Sequence, residues 1–372
     1  MTSVLSVKTI TSVEHRDFIR DRPSVSFLQT PAWAAVKSEW RGESIGWFRG
    51  GVIVGVGLVL YRQMPKLKKY LAYLPEGPAI DWYSDHLEAW LEPMRAHLLK
   101  NGAFGIRMGP PVVGRRWDAS TIKAAIADEA LITLGEVPAD VSDPAVDGIR
   151  ARLASLGWSE IATEGGFSAG QPKYNFWVPL AGRSEEQVLA GMNQLWRRNI
   201  KKAIKQGVEV SLGGRDDLRL FHDVYVETAA RDHFTPRPLA YFERMYDALC
   251  AEDPDRMKIY LARHEGDLVA AATMVQVGNH AWYSYGASTT AKREVRGSNA
   301  IQWQMMRDAL AAGATVYDMR GITDTLDPSD SHVGLIQFKV GTGGEAVEYL
   351  GEWDLPISKP LYFVFSQYMK RR

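Results

Sequence analysis

From Trp47 to Tyr61 two apolar runs flank a Gly-Gly pair, and the second, Val-Ile-Val-Gly-Val-Gly-Leu-Val-Leu-Tyr, is rich in β-branched residues. This pattern predicts a strand, a tight turn and a second strand, and Lys69–Pro75 reads as a third. Apolar positions then recur at helical spacing over Asp85–Leu99, and a short strand follows at Gly105–Met108. The same order returns in the second half. Ile259–Val275 reads as a hairpin turning at His264-Glu-Gly-Asp267, His280–Tyr285 as a strand, Ser298–Ala312 as a helix and Thr315–Met319 as a strand. Strands alternating with helices of this length predict an α/β fold of mixed sheets, here built twice. A Gly/Ser/Gln/Pro-rich junction at Gly165–Lys173 separates the helix Pro144–Leu156 from the strand Tyr174–Pro179, so the first domain is placed at 1–170 and the second at 171–350. Residues 351–372 form a further segment, in which Pro360–Met369 is expected to be a helix packed on the body.

A length of 372 residues suits two domains, each with its own core. Lys plus Arg and Asp plus Glu both number 44, so no global field draws the chain to a polyanion, and any such partner must be held by local clusters. The single cysteine, Cys250, excludes an intrachain disulfide framework and fits a reducing compartment. The start carries no signal-peptide pattern, and no run approaches the about 20 apolar residues that span a bilayer, so a cytoplasmic protein is expected. The eight histidines are scattered, and neither HExxH, CxxC, GxSxG nor a Walker A sequence is present, which argues against a metal and against the familiar hydrolases and nucleotidases.

Three segments carry candidate chemistry. Ser184–Gly207 reads as one helix, with Ser184 as N-cap, acidic residues in the first turn and Gly207 as C′. Its Arg197, Arg198, Lys201, Lys202 and Lys205 share a side, either as a solvated face or as a contact surface for a phosphate backbone. Arg237 stands between two prolines, with Tyr241 one turn on, which suits a preorganised bidentate phosphate ligand as well as a loop salt bridge. Gly334-Leu-Ile-Gln-Phe-Lys-Val-Gly-Thr-Gly-Gly344 sets Lys339 among apolar residues before a glycine turn. It reads either as a strand with an outward lysine or as a partly desolvated cation acting at low dielectric. Near the start, Trp33 and Lys37 lie at i, i+4.

The echoed order resembles the acetyltransferase-like (GNAT) fold, in which a helix N-terminus after the central strands holds a pyrophosphate. The corresponding turn here, Arg293-Glu-Val-Arg-Gly-Ser-Asn-Ala300, has one glycine where coenzyme A binders carry a Gln/Arg-x-x-Gly-x-Gly/Ala pattern.

Across nearly the whole chain the motifs resemble the FemABX family of peptidyltransferases. They are Gln29…Trp33…Lys37, Tyr73–Asp81, Arg107…Pro110, Gln171-Pro172, the basic helix ending Gly207-Val-Glu-Val210, Arg237-Pro-Leu-Ala-Tyr-Phe242, Trp282–Ser288, Tyr317–Ile322 and Phe338-Lys339. The resemblance implies two GNAT-like domains, with the C-terminal segment returning to the first. It implies transfer of an amino acid from aminoacyl-tRNA to the stem-peptide amine of a peptidoglycan precursor, either lipid II or UDP-MurNAc-pentapeptide. This requires no cofactor and brings the protein to the inner face of the plasma membrane. It also implies that Lys37 and Arg237 hold the precursor's diphosphate, with Trp33, Tyr241 and Tyr285 lining the site, and that Lys339 sits at the reacting centre beside Phe338. Two features depart from the family. Met108-Gly109 stands where some members carry an acidic residue, and no coiled-coil arm is expected between Gly182 and Gly213.

Aminolysis of an aminoacyl ester needs positioning and a cation where negative charge develops, a role Lys339 suits. The other readings are an acyl-coenzyme A-dependent N-acyltransferase on the same fold, a natural-product peptide ligase using aminoacyl-tRNA, and a tRNA-binding module.

Overall fold

The glycine-hinged runs are two strands, Arg41–Arg49 and Val52–Gln63, joined at Gly50 and Gly51, whose φ values of 57° and 86° lie in the left-handed region that glycine tolerates. The computed structural model describes residues 4–161, 170–330 and 332–370. In the first unit the strand order is Ser6–Thr9, Arg41–Arg49, Val52–Gln63, Tyr70–Leu74, Ala103–Met108, Trp353–Pro356 and Ser159–Glu160. Tyr70–Leu74 and Ala103–Met108 are parallel, and the helix Leu87–Lys100 makes the crossover between them. Leu87, Trp90, Leu91, Met94 and Leu98 form its buried stripe at helical spacing. The Trp47 indole, fully buried, donates to the Trp90 carbonyl at 2.7 Å and ties that helix to the sheet.

The second unit repeats the plan. Glu209–Gly213, Met257–His264, Asp267–Val277 and His280–Ser288 are antiparallel neighbours in that order. Val316–Ile322 then runs parallel to His280–Ser288, with the helix Gly297–Ala311 between them in sequence. In each unit the strand beyond the parallel pair comes from a distant segment, Trp353–Pro356 in the first and Tyr174–Pro179 in the second. The internal echo of the sequence is therefore a repeated sheet topology.

The division of the chain differs from a single junction. One unit comprises Met1–Arg116, Val141–Lys173 and Glu348–Arg372, and the other comprises Trp117–Asp140 and Tyr174–Val347. Residues 117–140, placed in the first domain from sequence, belong to the second unit. Of the expected junction, residues 165–169 lie outside the described residues.

Two element assignments change. Ser184–Gly207 is two helices, Glu185–Gly191 and Gln194–Lys205. Asn193 is extended between them, and its side chain accepts from the Trp196 N–H at 2.9 Å, a local bond that competes with a continuous helix. The Lys339 segment is a helix, Val333–Val340, and not a strand. Val333, Ile336 and Lys339 point inward at helical spacing, a pattern that a short apolar run does not reveal by itself.

Candidate active site

The second sheet opens where its parallel pair separates. His280–Ser288 and Val316–Ile322 are paired only over His280–Trp282 and Val316–Asp318. A bulge at Ser284 shifts the register against the neighbouring strand, from Met274 opposite Tyr283 to Thr273 opposite Tyr285. Arg320 then takes a left-handed conformation, φ 64°. Lys339 meets this part of the strand from its own helix. Its Nζ donates to the carbonyls of Met319 at 2.8 Å, Arg320 at 3.1 Å and Gly321 at 2.8 Å.

Lys339 is 4% exposed, so the outward-lysine reading of this segment does not hold. Burial pushes its amine down to about 7, opposed by the charge of Asp318 and reinforced by that of Arg320. Three carbonyl acceptors also favour the ammonium, because only it offers three N–H donors. Asp318 is fully buried, and its carboxylate accepts from the Trp177 indole at 3.1 Å and the Arg320 N–H at 2.6 Å. His280 Nε2 lies 3.3 Å from the same carboxylate. Hydrogen bonds from His280, with the charges of His280 and Arg320, hold Asp318 below the usual carboxylate range despite burial. As a sequence motif, Tyr317–Ile322 gives no sign that Asp318, His280 and Lys339 form one charged group.

Phe338 faces the other way. Its ring lies 4.8 Å from that of Trp196, and the Trp196 indole donates to the Phe338 carbonyl at 2.8 Å. Phe338 lines two adjoining cavities of the second unit, of about 400 and 540 Å³, whereas Lys339 lines neither. The smaller one is bounded by Asn193, Trp196 and Asn199 on one side and by Arg293, Arg296, Ser298 and Asn299 on the other. Gly297 and Ser298 open the helix Gly297–Ala311, so their N–H groups have no intrahelical carbonyl. Gly297 is required there, since a Cβ would lie 2.8 Å from Val269. Asn299 is 6% exposed, and among the described residues its side chain makes no hydrogen bond. Arg293 and Arg296 are exposed and carry no acidic partner among the described residues. Free N–H groups, two cations and a buried amide thus face one pocket beside the Phe338 ring, a combination that attracts anions. The sequence singled out the turn Arg293–Ala300 as the counterpart of a pyrophosphate loop, but its one glycine left Arg293, Arg296 and Asn299 unmarked as candidates.

The basic helix supplies one wall of that pocket. Trp196, Ile200 and Ala203 are its buried stripe, Lys201, Lys202 and Lys205 are exposed, and Arg197 donates to the Ala190 carbonyl at 2.9 Å. The Arg198 guanidinium donates to Gln194 at 3.2 Å and to no acidic residue among the described residues. Elsewhere in the second unit Arg237 lies over the Tyr241 ring at 5.1 Å, and the Tyr285 hydroxyl donates to that of Tyr241 at 3.2 Å. These three are brought together, on an aromatic group with Phe242 and Tyr225. Trp33 and Lys37 belong to the first unit, where Trp33 is buried edge-on against Phe27 and Lys37 Nζ lies 5.9 Å from its ring. That unit also holds a cavity of about 580 Å³ lined by Phe18, Arg22, Arg49, Asp81, Trp82 and Trp90. Among the described residues no group of His, Cys, Asp or Glu could hold a metal, and no helix is long and apolar enough to cross a membrane.

Two sheets of this topology define a protein with the tandem GNAT-like fold. The chain belongs to the FemAB family, whose model matches residues 10–267 and 255–371. It is 25% identical to the lipid II:glycine glycyltransferase of Staphylococcus haemolyticus over 430 residues, covering 97% of this chain and 95% of the relative. The protein of the same name in Staphylococcus aureus is 25% identical over 432 residues, with the same coverage. Among solved structures, FemX has a TM-score of 0.80 at 22% identity, covering 96% of this chain and 99% of that one. A tandem GNAT protein from the clavulanic acid biosynthesis pathway has a TM-score of 0.52 at 11% identity, covering 95% and 99%.

Proposed function

We propose that this protein is an aminoacyltransferase that builds the interpeptide bridge of peptidoglycan, moving an amino acid from aminoacyl-tRNA to the stem-peptide amine of lipid II or its soluble nucleotide precursor. Relatives named lipid II:glycine glycyltransferases support the acceptor class and suggest glycine as the residue moved. The observation that carries the donor assignment is the cationic pocket beside Phe338, walled by the basic helix. A phosphodiester at Arg293, Arg296 and the first turn of Gly297–Ala311 would meet charge, free N–H groups and the Asn299 amide together. Arg197, Arg198, Lys201, Lys202 and Lys205 extend that field along the acceptor stem.

In the reaction the stem-peptide amine attacks the ester carbonyl, the new C–N bond forms, and the bond to the ribose oxygen breaks. The amine's proton ends on the departing ribose hydroxyl. Lys339 contributes positive charge at low dielectric where the oxyanion develops, acting through its field while its N–H groups hold the strand. Arg237 takes the diphosphate of the acceptor, with Tyr241 and Tyr285 lining its path in the second unit, and Lys37 beside Trp33 in the first unit is a further cation suited to phosphate. The work takes place at the inner face of the plasma membrane.

The test is transfer by the purified protein supplied with charged total tRNA and precursor, with products identified by mass. RNase should abolish the product, and acetyl-coenzyme A should not restore it. Product formed after RNase from acetyl-coenzyme A would move the pocket beside Phe338 to a coenzyme A pyrophosphate and the protein to that donor class.

A further inference from the structure

In the first unit the helix Lys359–Lys370 is seated by Phe365, with Leu361, Tyr362 and Met369 around it. Phe365 packs with Met64, Leu71 and Phe104, its ring 5.2 Å from that of Phe104. Phe363, Val364 and Tyr368 turn away from that contact and are 64%, 54% and 37% exposed. A helix exposing an aromatic and a β-branched residue side by side bears an apolar surface that folding has not used.

The neighbouring turn has the same character. Met64, which touches Phe365, also opens a tight turn in which its N–H donates to the Lys69 carbonyl at 2.8 Å and its carbonyl accepts from Leu67 at 3.2 Å. Leu67 at the tip is 45% exposed. Lys66, Lys68 and Lys69 surround it, all exposed, and Lys359 opens the helix. None of these four lysines pairs with an acidic residue among the described residues. Unpaired cations around exposed Leu, Val, Phe and Tyr match a surface that is anionic outside and apolar just beneath, and they match a second protein less well.

We propose that the Met64–Lys69 turn and the exposed face of Lys359–Lys370 together dock this protein on an anionic lipid bilayer, with Phe363, Val364 and Leu67 entering the headgroup boundary. The lysines meet lipid phosphates at the same depth. The attraction between these lysines and an anionic surface falls off within a Debye length and weakens as salt rises. The surface uses no residue of the pocket or of the Lys339 group, so docking and transfer are separable. The proposal places the reading above on a lipid-linked acceptor, yet its test requires no transfer.

The experiment is co-sedimentation of the full chain with phosphatidylglycerol–phosphatidylcholine vesicles and with phosphatidylcholine alone. The wild type should sediment with the anionic vesicles at low salt and be released at high salt. Phe363→Ala with Val364→Ala, and separately Lys66→Gln with Lys68→Gln and Lys69→Gln, should each weaken partitioning by about tenfold or more. Both variants should keep the wild-type melting temperature and full transfer to a detergent-solubilised precursor. Anionic vesicles that leave the wild type in the supernatant, or that sediment both variants like the wild type, overturn the proposal. So does a concentration-dependent dimer that the Phe363/Val364 variant abolishes while vesicle binding persists, because the face would then belong to a second copy. A variant that loses vesicle binding yet transfers normally in detergent supports docking and leaves the transferase reading standing.

Discussion

At the scale of single residues, Lys339 carries the sharpest prediction. Desolvation holds its amine near 7 in the folded chain against an ordinary value of 10.5. Between those values the unfolded chain binds more protons, so this group makes stability rise with pH across that window. Below about 7 both states are protonated, and the cost of the buried charge is present in full. Catalysis by the ammonium runs the opposite way, and the transfer rate should fall as pH rises through about 7. Lys339→Met should lower single-turnover transfer by about 10²–10³-fold, or 2.7–4 kcal/mol, with substrate binding little changed. The variant should also lose the rise of stability with pH in equilibrium unfolding. A transfer rate within a fewfold of wild type in a folded variant would show that Lys339 only ties Met319, Arg320 and Gly321 in place. The sequence exposed this lysine through its apolar neighbours. It did not expose the partners, because three carbonyls freed by diverging strands leave no mark in residue type.

At the scale of elements, the alternation of hydrophobic runs made both hairpins and both crossover helices legible, since each buries a face whose period is written in the chain. Two elements were not legible for physical reasons. Val333–Val340 is eight residues long and largely apolar, too short for helix and strand periods to separate. The break at Asn193 depends on a cap bond that competes almost evenly with a continuing helix, although Gly191 just before it was a readable weak point. Close packing of these two helices yields a paired prediction. A Cβ at Gly341 would collide with the Trp196 indole, whereas a Cβ at Gly334 would meet open space. Gly341→Ala should destabilise by about 1–3 kcal/mol in thermal unfolding and disturb the Trp196–Phe338 contact. Gly334→Ala should be neutral or stabilising by up to about 1 kcal/mol. Equal melting temperatures for the two variants would mean that Trp196 yields freely and does not brace the pocket.

The basic helix is tested at the same scale. Its cations were legible as a stripe, and the structure leaves Lys201, Lys202 and Lys205 exposed without acidic partners among the described residues. Replacing Arg198, Lys201 and Lys205 with Gln should weaken tRNA binding and flatten its salt dependence by a slope of roughly 0.7–0.9 for each phosphate no longer neutralised. An unchanged slope in filter-binding titrations would return these residues to ordinary solvation.

At the scale of the whole molecule, neither unit is a continuous stretch of chain, and the first is completed only by Glu348–Arg372. Trp353–Pro356 lies between Ala103–Met108 and Ser159–Glu160, hydrogen-bonded to both. Arg107 clamps Asp354 through Nε and a terminal nitrogen, both at 2.8 Å, and the Tyr362 hydroxyl donates to the same carboxylate. Ending the chain at Leu350 would strip a strand from the sheet, bare one edge of Ala103–Met108 and leave the half-buried Arg107 unpaired, the last of these alone costing about 1–3 kcal/mol. Ending it at Ser358 keeps the strand and the Arg107–Asp354 pair, and removes the Tyr362 bond to Asp354 and the cover that Phe365, with Leu361, Tyr362 and Met369, lays over Met64, Leu71 and Phe104. Hydrogen exchange should separate the two truncations. In the shorter chain, amide protection in Val52–Gln63 and Ala103–Met108 should collapse while Asp267–Val277 in the second unit stays protected. In the longer one, all three strands should remain protected, with the first unit melting a few degrees lower. Protection of Val52–Gln63 that survives loss of Trp353–Pro356 would mean that the first unit folds without its last strand, and that the return of the chain serves something other than its stability.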